Sequence, residues 1–354
     1  MVKNNLIKKN WLSSINRLKS DTVEREKFLR LDKNERVISF EKKFINYLKK
    51  KINTFNISSY PDIEKTKKLL SKKLKISDKM IYISAGSDLS LKTCFELFTK
   101  PKDKIIILEP TFGMVNVYSK IYNLNTIKVT YNKNLELNFK KLFKSISKSV
   151  SLMILANPNS PTGTIIDKKV MMKILTKCKK NKVPVVIDEA YEGFYKYSYI
   201  NLIKKFNNLI ITRTFSKSFG LAGLRAGYAV SNPNISQLLN KFKPMYEINS
   251  LVCLSIEFLI KNYSIVTKHI KEVSLSKKYM KEELKKNQIE FLDTHANFFH
   301  IKIRNRKSFE KVLKKNGILV RKGPGVKGLE NFLRFSLGSR SQMKKVINLV
   351  KKNN

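Results

Sequence analysis

The chain has 354 residues, 42% hydrophobic and 28% charged, which suits one large domain plus a smaller one with a substantial core. Its apolar runs, such as residues 183–187 and 251–254, stay far short of the roughly 20 residues that span a bilayer. A net charge of +45 invites a polyanion-binding reading, but the basic residues are spread along the whole chain in amphipathic patterns. Nothing resembling zinc-finger spacing, an aromatic RNA-binding motif or a helix-turn-helix accompanies them.

The opening stretch MVKNNLIKKNWLSS has basic residues but no continuous apolar core, so no signal peptide is expected. Residues 1–30 read as a polar, basic helical lead-in. Three cysteines, Cys94, Cys178 and Cys253, lie far apart without a CxxC pair and read as buried thiols of a cytoplasmic protein. Leu31-Asp32-Lys33-Asn34-Glu35-Arg36 follows, a short extended segment dense in hydrogen-bonding side chains; taken alone, such residues favour a surface turn. A helix is expected over 41–51. Ser59-Tyr60-Pro61-Asp62 marks a turn into the next helix, with Pro61 near its first position and Tyr60 held extended.

A strand is expected over 80–84, ending in Ala85-Gly86-Ser87-Asp88 and a helix to residue 98. Such a junction offers free N–H groups to an anion. Residues 104–108 form an apolar strand that runs into Glu109-Pro110-Thr111-Phe112-Gly113 and another helix. Further strands are expected at 124–131 and 151–156, the latter ending in Asn157-Pro158-Asn159-Ser160-Pro161-Thr162-Gly163. A helix over 167–181 leads to a β-branched strand at 183–187 that ends on Asp188-Glu189-Ala190-Tyr191. A further helical region then leads to a strand at 209–213.

Next comes ITRTFSKSFGLAGLRAGYAV. Lys217 sits among the hydroxyls of Thr214, Ser216 and Ser218, eight positions before Arg225. An amine so flanked could bond an aldehyde cofactor whose phosphate the hydroxyls and the guanidinium hold. Read alone, the same stretch is equally a Ser/Thr/Gly loop with a solvated lysine. Alternating strands and helices imply a mainly parallel sheet covered on both faces, with ligands at the carboxyl ends of the strands. Asn157, Asp188 and Lys217 all fall at such ends, so one cleft could hold all three. Beyond about residue 243 the pattern changes to basic amphipathic helices over 251–287. Short strands follow at 296–303, 319–322 and 332–337, then a last helix at 341–351. This is a smaller α+β domain. The expected division is 45–245 for the large domain, with 1–44 and 246–354 forming the small domain and an N-terminal arm.

Together LDKNE, SYPD, AGSD, EPTFGM, NPNSPTG, VVIDEAY, TFSKSFGLAGLRAGY and LRFSLGSR resemble, in order, the fold-type I pyridoxal-phosphate enzymes. The likeness is to class II aminotransferases such as histidinol-phosphate aminotransferase, and it runs from about residue 31 to 349. It implies an aspartate-aminotransferase-like α/β large domain and a cytoplasmic homodimer. Lys217 matches the lysine that bonds the cofactor and moves the substrate proton. Asp188 matches the carboxylate on the pyridine nitrogen, and Tyr191 and Asn157 the groups on the ring oxygen. Phe112 falls where a ring stacks on the cofactor.

The phosphate cup would be Gly86, Ser87, Asp88, Thr214, Ser216 and Arg225, with Tyr60 reaching in from the other subunit. Arg334 resembles the arginine for the donor's α-carboxylate and Arg321 a second one for a substrate phosphate; Asn34 joins them in the substrate site. The chain departs from the pattern at Arg36, where relatives commonly carry proline. It departs again at Glu247, which could hydrogen-bond a polar substrate group or be a solvated helix-start residue. The implied activity transfers an amino group, with glutamate as donor, to a small phosphorylated carbonyl. A surface-polysaccharide precursor is an alternative acceptor, and decarboxylation of a phosphorylated amino acid an alternative reaction. A basic polyanion-binding protein on the same fold is the non-enzymatic one. His269, His295 and His300 suggest no metal site.

Overall fold

A strand covered on both faces must be apolar at nearly every position, and the Ile-, Leu- and Val-rich runs of this chain become such strands. The computed structural model describes residues 9–15 and 24–353. After a two-residue strand β1 (Leu29–Arg30) come β2 (Ile81–Ser84), β3 (Lys104–Glu109), β4 (Asn125–Thr130) and β5 (Val150–Ala156), then β6 (Val185–Asp188), β7 (Leu209–Thr214) and β8 (Gly227–Val230). Among the described residues β2 to β8 form one sheet in the order β2-β8-β7-β6-β5-β3-β4. Every neighbouring pair is parallel except those of β8, which runs antiparallel to both β2 and β7. The mainly parallel sheet was legible from the alternation; the reversal of β8 was not.

Successive side chains alternate between two cores. Ile106 and Leu108 face one cluster with Met153, Leu155, Val185 and Ile187, while Ile105 and Ile107 face another with Leu91, Phe95 and Val115. Cut from water, each large aliphatic side chain contributes about 1.5–3 kcal/mol, so both faces anchor helices. The helix after β2 is Ser87–Phe98 and the one after β3 is Gly113–Ile121.

Short strands complete the chain: β9 (Phe291–Leu292), β10 (Phe298–Lys302), β11 (Ile318–Leu319), β12 (Arg321–Lys322) and β13 (Phe332–Ser336). A four-stranded sheet in the order β12-β13-β10-β9 packs, with helices Ser264–Lys286 and Arg340–Asn353, around a cluster of Phe299, Leu333, Phe335, Met280 and Ile347. The expected strand over 319–322 is instead two strands in different sheets, because β11 pairs in parallel with β1 while β12 joins β13. Helix Ser250–Lys261 contributes Val252, Ile256 and Leu259 to the large-sheet cluster.

Three smaller expectations differ. The helical lead-in over 1–30 appears as 3-10 turns at Asn10–Ser14 and Arg25–Lys27; residues 1–8 and 16–23 lie outside the described residues. Pro61 precedes helix Ile63–Leu74 without entering it, because Asp62 takes the N-cap and accepts the Lys65 N–H at 3.1 Å. Between Tyr191 and β7 the helical region is a single 3-10 turn, Ile200–Lys204. Among the described residues no single helix is long and apolar enough to cross a membrane.

Candidate active site

Lined up along the sheet, the strand ends meet the predicted residues in spatial order. Gly86 and Ser87 follow β2, Arg225 precedes β8, and Lys217 follows β7. Asp188 ends β6, Asn157 follows β5 and Phe112 lies just past β3. The reversal of β8 is what sets its first residues beside the last residues of β2 and β7, pairing Ser84 and Thr214 with Gly227. A cleft of about 870 Å³ opens over this edge. Its walls include Asn34, Ser87, Asp88, Phe112, Asp188, Tyr191, Thr214, Ser216, Lys217, Arg225, Arg321 and Arg334.

Lys217 donates from Nζ to the Lys33 carbonyl at 2.8 Å. Burial lowers its pKa to about 8; Arg334 and Arg225 add to this, while Glu35 and Asp188 oppose it. An amine so depressed is available in its neutral, nucleophilic form near neutral pH. Asp188 is its counterpart. Burial pushes its carboxyl up to about 7, against the hydrogen bonds of the Thr212 hydroxyl (3.0 Å) and the Ala190 backbone. A buried carboxyl held near neutrality is poised to ionise beside a cation placed in the cleft.

Behind Asp188, Glu189 takes the guanidinium of Arg213 at 2.8 Å and the Tyr199 N–H at 2.6 Å. That buried pair steadies the loop that carries Tyr191. Tyr191 packs edge-on against Phe298, and its hydroxyl accepts from Asn34 Nδ2 at 2.9 Å. Asn34 sits at φ +54 and is held from the small domain by Ser336 and Asn297. Asn157 is buried behind the cleft wall. Its Oδ1 accepts from Ile166 N at 2.7 Å, while its Nδ2 has no hydrogen-bond partner.

Gly86 does not itself line the cleft, but it shapes the wall. It sits at φ +92, and a Cβ there would stand 3.0 Å from Arg225 Nη2. Only glycine suits both the conformation and this approach. Arg334 is buried, donates from Nη2 to the Asp32 carbonyl at 2.9 Å and lies over the Phe298 ring at 5.3 Å. Its Nε has no partner. Arg321 is its cross-strand neighbour, so two guanidinium groups share one wall.

Two predicted residues lie elsewhere. Tyr60 is 76% exposed and stacks on Tyr246 with ring centroids 4.0 Å apart, away from this cleft. Glu247 does not reach the cleft; its Oε1 accepts the backbone N–H of Ala85 at 2.9 Å. Its half-buried place and this hydrogen bond, which a polar and surface-like motif did not foretell, are the physical reason it is neither a solvated helix-start residue nor a cleft residue here.

The sequence reading missed several wall residues. Arg25 lines the cleft and binds Asp32 at 2.6 Å and Glu35 at 2.8 Å. Lys33 and Glu35 belong to the motif that carries Asn34, and their place within it was the available signal. For Arg25, Asn116 and Lys120 no motif gave one. Among the described residues no group of three or more His, Cys, Asp or Glu could hold a metal ion.

The donor set fits pyridoxal phosphate: a depressed amine, a buried acid awaiting a cation, an unsatisfied Asn157 amide and a helix N-terminus beside a guanidinium. The family described as aminotransferase class I and II matches residues 28–350. Histidinol-phosphate aminotransferase of Caldanaerobacter subterraneus subsp. tengcongensis is 32% identical over 91% of this chain and 92% of its own length. Histidinol-phosphate aminotransferase from Sinorhizobium meliloti, solved in complex with pyridoxal-5'-phosphate, superposes with a TM-score of 0.85 at 19% identity, covering 96% of each chain. L-threonine-O-3-phosphate decarboxylase from Porphyromonas gingivalis superposes with a TM-score of 0.76 at 19% identity, over 91% of this chain and 98% of its own.

Proposed function

Since the chain belongs to the class I and II aminotransferases and is a pyridoxal-phosphate-dependent aminotransferase, we propose that glutamate is its amino donor. We propose a small phosphorylated carbonyl, as in the histidinol-phosphate branch, as its acceptor. The observation that carries this reading is the shared wall of Arg321 and Arg334 in the cleft that Lys217 also lines. Two guanidinium groups suit anionic substrate groups, the donor's carboxylate at Arg334 and the acceptor's phosphate at Arg321, by bidentate hydrogen bonding.

In this reading the cofactor supplies an electron sink for the charge left when a substrate Cα–H bond breaks. The chain's own residues do the rest. Lys217 holds the cofactor and then, as a neutral amine, moves the proton at the substrate carbon. Asp188 would pass its proton to the pyridine nitrogen and remain beside it as a carboxylate. Asn157 and Tyr191 would donate to the ring oxygen, and Phe112 would pack against the ring.

The Gly86–Asp88 turn, Thr214, Ser216 and Arg225 hold the phosphate. Asn34 keeps Tyr191 oriented and borders the substrate. A two-fold partner copy brings Tyr60 to this cleft, and the exposed Tyr60, Phe55 and Met245 would lie in that contact. The cytoplasm is the compartment proposed for it.

An absorbance titration tests the reading. Full-length protein with pyridoxal phosphate is expected to give a visible band that glutamate bleaches and that Lys217→Ala lacks. Phosphorylated carbonyls should then restore the band, whereas recovery only with sugar-derived carbonyls would move the acceptor to that class. Release of CO₂ from a phosphorylated amino acid, without keto-acid from glutamate, would make it a decarboxylase on the same fold. Arg334→Lys is expected to raise KM for glutamate at least tenfold while the cofactor band persists, because one point charge replaces a fork. An unchanged KM would remove Arg334 from the donor's carboxylate.

A further inference from the structure

Glu247 stands outside the cleft and yet grips one of its building blocks. It lies between helix Pro233–Phe242 and helix Ser250–Lys261, and its Oε1 reaches back to the Ala85 N–H. Ala85 joins the end of β2 to Gly86. Burial pushes the Glu247 carboxyl up, while the Ala85 N–H and Lys243 draw it down. Its second oxygen is buried without a partner. Taking a carboxyl out of water is costly, and in return it hydrogen-bonds this backbone N–H and faces the charge of Lys243.

That N–H belongs to the first peptide of the turn, and the next ones are already tied. Ser84 Oγ donates to the Gly86 carbonyl at 2.9 Å, and the Gly86 N–H bonds the Ser84 carbonyl at 2.8 Å. With Ala85 also held from outside, successive peptide planes of the turn are fixed, and the helix start at Ser87 and Asp88 is presented to the cleft. The same segment supports the exposed aromatic pair. Tyr246 stacks on Tyr60, and Ser250 Oγ donates to the Ser59 carbonyl at 3.1 Å.

We propose that Glu247 is a positioning residue for the anion-binding turn: as an acceptor for the Ala85 N–H it sets the direction in which the helix start meets a phosphate. This rests on the reading that the turn takes the cofactor's phosphate. Acceptor and reach are required; negative charge is not.

Two conservative variants separate these. Glu247→Gln keeps a carbonyl oxygen at the same reach and drops the charge, while Glu247→Asp keeps the charge and retracts it by one methylene. Dissociation constants for inorganic phosphate and for pyridoxal phosphate are measured by calorimetry on the full chain, with Tm recorded for each variant. Glu247→Gln is expected within about twofold of the parent, and Glu247→Asp about tenfold weaker for both ligands, with Tm little changed. Parental affinity in both variants overturns the proposal. So does the reverse order, or a loss that follows Tm equally in both.

If phosphate binding follows the expected order but pyridoxal phosphate gives no Lys217-dependent band, the functional reading fails and the positioning role stands. If the band forms while both variants bind phosphate like the parent, the positioning role fails and the function stands.

Discussion

Asp188 and Lys217 carry opposite costs, and pH exposes each. A carboxyl with a folded pKa near 7 and an unfolded one near 3.9 binds more protons when folded. Its contribution to stability is therefore lost as pH rises from about 4 to 7. In cofactor-free protein Asp188→Asn is expected to raise stability at pH 8 by roughly 2–4 kcal/mol, with the gain vanishing towards pH 4. Thermal unfolding of variant and parent at both pH values decides it, and an equal difference at the two would refute the buried-acid account. The same substitution should weaken cofactor binding.

Lys217 runs the other way. Its folded pKa is depressed, so the stability it withholds returns as pH rises from about 8 to its unfolded value. More usefully, it becomes half neutral near pH 8. Reductive trapping of pyridoxal phosphate on Lys217, read by peptide mass, should level off above about pH 8. A climb continuing past pH 10, as for a solvated lysine, would contradict the burial. The sequence singled out both residues by their place at strand ends. It could not supply their depth, nor the charges of Arg334 and Glu35 that act on Lys217 from far away along the chain.

At the scale of elements, the site exists because strand ends are brought into line. The β-branched runs announced β5, β6 and β7, and the motifs after them announced what each would carry. β8 itself was missed, because its run, GYAV, is only four residues long and was read as the tail of a glycine-punctuated loop. The consequence of its reversal is testable at Gly227, where a Cβ would collide with the Ser87 nitrogen and the Gly86 carbonyl carbon, and would stand 2.8 Å from the Arg213 carbonyl oxygen. Backbone cannot step aside as a side-chain tip can, so Gly227→Ala is expected to cost about 3 kcal/mol or more and to weaken phosphate binding. Denaturant melts and a phosphate titration check both. A neutral outcome would mean that β8 has room to move away from the β2 turn.

Loops were read less well than strands. Glu247 had a polar neighbourhood in sequence and a half-buried one in space, since its partner Ala85 is 162 positions away. We propose that the boundary between the two cores falls inside helix Ser264–Lys286, later than the 245/246 division read from composition. Ile265 and Val266 belong to the large-sheet core, whereas Val273, Met280 and Leu284 belong to the smaller one.

The whole molecule carries +45, and its basic residues are spread along the whole chain without a nucleic-acid-binding motif. Binding to duplex DNA should therefore be nonspecific and governed by counterion release, with affinity falling at least tenfold between about 50 and 200 mM salt. Salt-insensitive or sequence-selective binding would argue for a dedicated site. Composition made the charge obvious from the outset, while its dispersal over the surface follows from the helix periodicity.

Asn34 has a consequence in time. Its hydrogen-bond partners are Tyr191, Asn297 and Ser336, the last 302 positions downstream. Nearby, β1 waits for β11, and Arg334 closes on the Asp32 carbonyl. On the ribosome, the central sheet can be complete while, of these partners, only Tyr191 is there to hold Asn34, and Asn297 and Ser336 are still to come. Contacts of such separation close late. The strand-end side of the cleft can thus form before the wall that Asn34, Arg321 and Arg334 share, which closes only once the smaller sheet has been made.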